Sequence, residues 1–144
     1  MDSISKNFDD FYSVVSTGVF VPPKQIVLDG MHYTLMEDNT PVASCRLRPY
    51  HKRDGSLIAY CICNGFVLES HRGNRKFEKL VKTITKDLKG FKIFCRIDSL
   101  GLKEYYETCF SQKSHDTEEF EKILFVETGY QKQDDHVMLL FEVN

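Results

Sequence analysis

Phe66-Val67-Leu68-Glu69-Ser70-His71-Arg72-Gly73-Asn74-Arg75-Lys76-Phe77-Glu78-Lys79-Leu80-Val81 is the stretch on which the fold turns. It opens at the end of the most apolar run of the chain, Leu57 to Leu68, which is interrupted only at Asn64-Gly65. That run is apolar on both faces, as a central strand buried on both sides must be. The stretch closes inside the clearest helix. Phe77, Leu80, Val81, Ile84 and Leu88 form one apolar stripe at helical spacing. Arg75, Lys79, Lys82, Lys86 and Lys89 stand four or three apart and form a basic stripe on another face. Gly90 is placed to cap the helix at its C-terminus.

Outward from this unit, the elements alternate. Phe8, Phe11, Tyr12 and Val15 recur at helical spacing and predict a first helix over 5–16. Pro22-Pro23 breaks the chain, and the short apolar segment Ile26 to Leu28 leads into the turn signal Asp29-Gly30. His32 to Met36 and Val42 to Leu47 read as strands of a hairpin turned at Glu37-Asp38-Asn39-Thr40-Pro41. Asp54-Gly55 marks the turn before the central strand. After the basic helix come a strand over Lys92 to Ile97 and helices over Leu102 to Phe110 and Glu118 to Val126. Thr128-Gly129-Tyr130 turns the chain into a last strand, Val137 to Val143. A helix joining two neighbouring strands implies an α/β unit on a mixed sheet. With no internal repeat, low-complexity stretch or linker, residues 1–144 are expected to form one domain.

Composition sets bounds on what such a chain does. Hydrophobic residues make up 42% and charged residues 28%, an ordinary globular balance that argues against disorder. No apolar run approaches the roughly 18 residues that span a bilayer, and Met1-Asp2-Ser3-Ile4-Ser5-Lys6 lacks the basic start and apolar core of an export signal. A soluble, cytoplasmic protein is expected. The five cysteines, Cys45, Cys61, Cys63, Cys95 and Cys109, are odd in number and read as free thiols that act as small buried apolar residues. No metal site is expected. Charge is unevenly spread. Cys45 to Arg96 holds 13 Lys/Arg against 4 Asp/Glu, and the remainder holds 6 against 17. Such asymmetry points to a basic surface for an anionic ligand or partner.

The stretch 66–81 resembles the cofactor-binding core of the GNAT superfamily of N-acetyltransferases, and the order of elements from about His32 onward is similar to that family's. Its pattern is a strand ending V-x-P-x-x, an R-G-x-G-x-G/A-like loop, and a helix with two apolar residues in its first turns. Val67, Arg72, Gly73, Leu80 and Val81 fall on it. The two later glycines are replaced by Arg75 and Phe77, and the proline by Glu69. The resemblance implies a mixed, mostly antiparallel sheet flanked by helices, of α/β (α+β) class. It implies transfer of an acetyl or related acyl group from acyl-CoA, acetyl-CoA first among them, to an amine. Loop N–H groups and the helix N-terminus would hold the diphosphate, with Arg72, Gly73, Asn74, Arg75, Lys76 and Phe77 contributing and His71 nearby. Phe66 and Val67 would pair with the pantetheine arm. Asn64-Gly65 would supply the bulge that opens the sheet for that arm.

The family's motif Y-E-x-x-G-[FY] carries a tyrosine that protonates the leaving thiolate. Tyr106-Glu107-Thr108-Cys109-Phe110 resembles it, with Cys109 in place of glycine, and makes Tyr106 the expected general acid. Phe125-Val126-Glu127-Thr128-Gly129-Tyr130 resembles it too, with Phe125 in place of tyrosine, as though an inserted helix had split the motif. The central strand holds no carboxylate, so Glu69 is the nearest candidate for the base. Acceptor choice would lie in 5–21 and 111–119. A second reading remains open: a GNAT-like binding module without catalysis, whose Arg75/Lys79/Lys82/Lys86/Lys89 face engages a nucleic acid or an acidic protein.

Overall fold

A computed structural model describes residues 2–144; Met1, the first residue of the expected domain, lies outside them. The elements are β1 (Asp2–Ser5), α1 (Phe8–Val15), α2 (Lys24–Val27), β2 (Met31–Glu37), β3 (Thr40–His51), β4 (Leu57–Val67), a 3₁₀ turn (Glu69–His71), α3 (Lys76–Asp87), β5 (Lys92–Ile97), α4 (Gly101–Phe110), α5 (Glu118–Thr128) and β6 (Val137–Glu142). Six strands form one sheet in the order β1-β2-β3-β4-β5-β6, antiparallel throughout except for the parallel pair β4/β5. This is the expected mixed, mostly antiparallel α/β architecture. No helix among the described residues is long and apolar enough to cross a membrane.

The helix expected over 5–16 is shorter. It starts at Phe8, where the Asn7 side chain accepts the Asp10 N–H at 2.8 Å and two acidic residues occupy the first turn. Asp2–Ser5 instead adds an edge strand to β2. Four residues carry too little pattern to announce a strand; the open edge of β2 makes it one.

Side-chain alternation sorts the core into two layers. Cys45 and Leu47 of β3, Ile93 and Cys95 of β5, and Leu139 and Phe141 of β6 face the helix pair α3/α4. Leu80, Val81 and Ile84 of α3 complete that layer, all fully buried. On the opposite face, Ala59, Cys61, Phe94 and Leu140 pack under Phe120 and Leu124 of α5. Phe11 and Val15 of α1 cover the rest with Val27. All five cysteines are free and four are buried, as expected of apolar thiols.

Two features shape the middle of the sheet. Parallel pairing of β4 with β5 is confined to Tyr60↔Ile93 and Cys61↔Phe94; beyond Cys61 the two strands part, while β5 stays paired with β6 to Ile97. Between Ser44 and Arg46 the β3/β4 register slips by one residue, which places a bulge in β4. Asn64 sits there with φ of 54°, a left-handed conformation that asparagine adopts more readily than most residues. Asn64-Gly65 is therefore the bulge the sequence marked.

Candidate active site

The gap between the diverging strands is lined by Val67, Phe77, Leu102, Tyr105 and Tyr106 around a cavity of about 270 Å³. A neighbouring cavity of about 490 Å³ lies under the loop, with Arg72, Gly73, Arg75 and Lys76 on its wall and Thr108 and Cys109 opposite. Val67, Arg72, Phe77 and Tyr105 belong to both, so loop and gap form one groove.

The loop keeps a glycine conformation without the glycine. Gly73 has φ of 84°, and Arg75, the cap residue of α3, takes φ 57° and ψ 28°. Its side chain makes no capping hydrogen bond. Among the described residues, no acceptor takes the backbone N–H groups from Gly73 to Glu78; the first used again is Lys79, bonded to Arg75 O at 3.1 Å. Open N–H groups at the start of a 12-residue helix form an anion-binding end. Gly73, Asn74 and Arg75 are exposed.

The other loop residues are engaged. Arg72 donates Nε to Val67 O at 3.1 Å and lays its guanidinium on the Phe66 ring, 5.2 Å from the centroid. Lys76 binds the Glu37 carboxylate, and His71 Nε2 stands 3.5 Å from the same group. Glu37 is the last residue of β2, and nothing in the sequence near the loop announces it. Lys76 thus ties the loop to the hairpin, and Arg75 is the cation left facing outward.

Val67 and Phe66 have different duties. Leu68 N–H donates to Val42 O, so Val67, one residue earlier, turns its own N–H and C=O to the β5 side. Arg72 takes the C=O; the N–H faces the gap. Phe66 pairs with Ser44 of β3, and its ring lines cavities on the α1 side. Phe77, in the place of a family glycine, is buried, with its ring edge against Gly65. The ring packs between Gly65 and the two tyrosines of α4, Tyr105 and Tyr106.

Two tyrosines of α4 wall the gap. The Tyr105 ring stacks on Phe77 at 6.2 Å and Tyr106 meets it edge-on at 6.0 Å. Burial pushes the Tyr106 hydroxyl well above the ordinary tyrosine value, so it holds its proton at neutral pH. Tyr105 was not singled out in the sequence. The spacing was legible: in Y-E-x-x-G-[FY] the tyrosine stands four before the glycine, and Tyr105 stands four before Cys109. Its hydroxyl faces the Cys109 thiol, whose burial raises it to about 11. The second motif copy is not brought here. Phe125 is exposed on α5, and Tyr130 packs with Tyr50 and Phe94 on the opposite face of the sheet.

Glu69 is exposed and lines a cavity of about 930 Å³ on the α1 side, across Phe66 from the gap. The basic stripe of α3 runs away from the groove. Lys79 pairs with Asp2 at 3.1 Å and Lys82 with Glu78 at 3.8 Å.

No protein-family model and no curated protein matches the sequence. Solved structures do. The ribosomal-protein-S18-alanine N-acetyltransferase of Escherichia coli superposes with a TM-score of 0.67 at 10% identity, covering 99% of this chain and 94% of that one. A protein assigned to the GNAT family of acetyltransferases, from Desulfovibrio desulfuricans, gives 0.66 at 13% over all of both chains. N-acetylglutamate synthase of Neisseria gonorrhoeae, in complex with coenzyme A and L-arginine, gives 0.68 at 12%, covering 99% of this chain and 33% of that one. At 10–13% identity over nearly the whole of this chain, these likenesses are likenesses of fold, and they agree on one: the chain has the GNAT fold.

Proposed function

We propose that the chain is an acyl-CoA-dependent N-acyltransferase, moving an acetyl or related acyl group onto an amine. The observation that carries this reading is the row of open N–H groups from Gly73 to Glu78, set beside a gap in the sheet. A diphosphate would accept from those N–H groups at the positive end of α3, with Arg75 adding charge. The acyl arm would run into the gap, where Val67 N–H stands as a donor. As the amine nitrogen bonds to the acyl carbon and the carbon–sulfur bond breaks, Tyr106 would give its proton to the leaving thiolate. Glu69 would take the proton that the amine sheds, directly or through one water.

Thermal unfolding with and without excess acetyl-CoA tests the reading. A ligand that binds only the folded state stabilises it by about 2.7 kcal/mol at 100 times its dissociation constant, which is several degrees for a chain of this size. A rise of that order, with acetyl-CoA consumed when an acceptor is present, is expected. No shift with acetyl-CoA or longer acyl-CoA esters overturns it.

A further inference from the structure

The α1 side of β4 carries an apolar recess that the donor groove does not use. Its floor is the Phe66 ring with Leu68. Its rim is the segment between α1 and α2, where Val19 and Phe20 are 93% and 92% exposed. Both residues line the 930 Å³ cavity and a second one of about 460 Å³ that reaches Asn64 and Gly65. The segment is held down on Phe66 at Gly18, where a Cβ would meet Phe66 Cε2 at 2.9 Å. Two large apolar side chains left almost wholly in water over an aromatic floor are ready to cover something apolar. Charge in the larger cavity is sparse: among the described residues that line it, Glu69 is the only carboxylate and Arg72, already on Phe66 and Val67 O, the only cation. Phe66 also borders the donor gap, so a group bound on its α1 side lies next to the acyl arm's path.

We infer that the acceptor is a small primary amine on an apolar body, with its ammonium at Glu69 and its body between Phe20 and Phe66. This rests on the acyltransfer reading above. Glu69 attracts the cationic end, and the absence of further acids among the residues lining the recess disfavours polycations. A tenfold preference takes about 55 Å² of buried apolar surface at about 25 cal/mol per Å², less than a phenyl ring offers.

The experiment measures acetyl transfer from acetyl-CoA to phenethylamine, hexylamine, ethanolamine and spermidine, alongside the acetyl-CoA melting shift. The expected result is a kcat/KM for phenethylamine and hexylamine at least tenfold above those for ethanolamine and spermidine. Phe20→Ser, at a solvent-facing position, is expected to raise the phenethylamine KM at least fivefold while the acetyl-CoA melting shift persists. Equal or better use of ethanolamine or spermidine overturns the inference and leaves acyltransfer standing. Acetyl-CoA binding with no turnover of any of the four amines overturns it too. Absence of the acetyl-CoA shift strikes the acyltransferase reading itself, so the two failures are distinct.

Discussion

Phe77 rests its ring edge on the backbone of Gly65, so closely that a Cβ at Gly65 would stand 2.9 Å from Phe77 Cε1 and 3.1 Å from Cζ. The large residue in the loop's glycine position is thus accommodated by a glycine in the bulge across from it. Gly65→Ala is expected to push the ring toward Tyr105 and cost about 1–3 kcal/mol, seen as a drop of several degrees in Tm and a weaker acetyl-CoA shift. An alanine variant as stable as the parent would show that the ring gives way freely.

Arg75 holds a left-handed conformation that costs an L-residue about 1–2 kcal/mol. Arg75→Gly removes that strain and adds freedom to the unfolded chain. The expected net effect is a gain of about 0.5–1 kcal/mol without ligand, with a smaller acetyl-CoA shift because a cation is lost. Chemical denaturation of both proteins decides it, and a destabilised glycine variant counts against the conformational argument.

Arg46 is buried and bonds the bulge at Asn64 Oδ1 (3.0 Å, from Nε) and the turn at Asp29 Oδ1 (2.6 Å, from Nη1). It acts on the gap through Asn64, as a positioning residue. Arg46→Met leaves Asn64 Oδ1 without that donor and is expected to cost about 1–3 kcal/mol. Acetyl-CoA KM should rise more than kcat falls, with partial rescue in Arg46→Lys. Loss of stability with an unaltered acetyl-CoA KM would leave Arg46 a purely structural role.

Tyr106→Phe is expected to lower kcat about a hundredfold, the lower end of what a general acid contributes. Tyr105→Phe should do less, under about tenfold, because the Tyr105 hydroxyl faces Cys109. Steady-state kinetics on the two variants separates the roles, and unchanged turnover in Tyr106→Phe removes its assignment.

Asp87 joins β2 and the N-terminal segment to α3. It takes a hydrogen bond from Tyr33 at 2.9 Å and pairs with Lys6 at 2.9 Å. The Lys6 bond holds its carboxyl below the ordinary 3.8; burial opposes it, and the Tyr33 hydroxyl adds a smaller lowering. A depressed carboxylate stabilises the fold above its unfolded value, and the contribution fades as pH falls through the folded one. Unfolding followed between pH 3 and 6 should therefore show stability lost below about pH 4, less steeply in Asp87→Asn. Parallel curves for the two proteins would place the acid sensitivity elsewhere.

What the sequence alone determined is local. An unbroken apolar run bounded by turn signals placed β4, and a stripe of period 3.6 placed α3, because a strand buried on both faces is apolar throughout while a helix with one buried face repeats with its turn. The dipeptide Asn64-Gly65 marked the bulge, because few other residues accept that backbone. Phe66 to Val81 also carried the resemblance that named the fold. The tertiary structure decided what depends on residues far apart in the chain. Asp2–Ser5 became a strand because β2 offered an open edge. Glu37 reached Lys76 and His71 from a hairpin some forty residues away. Tyr105 and Tyr106, adjacent in sequence, took different surroundings because successive helical positions turn by about 100°. That Phe77, in a glycine's place, turns its ring against Gly65 was likewise decided in three dimensions, since which way a side chain points into a packed core is set by the space its neighbours leave.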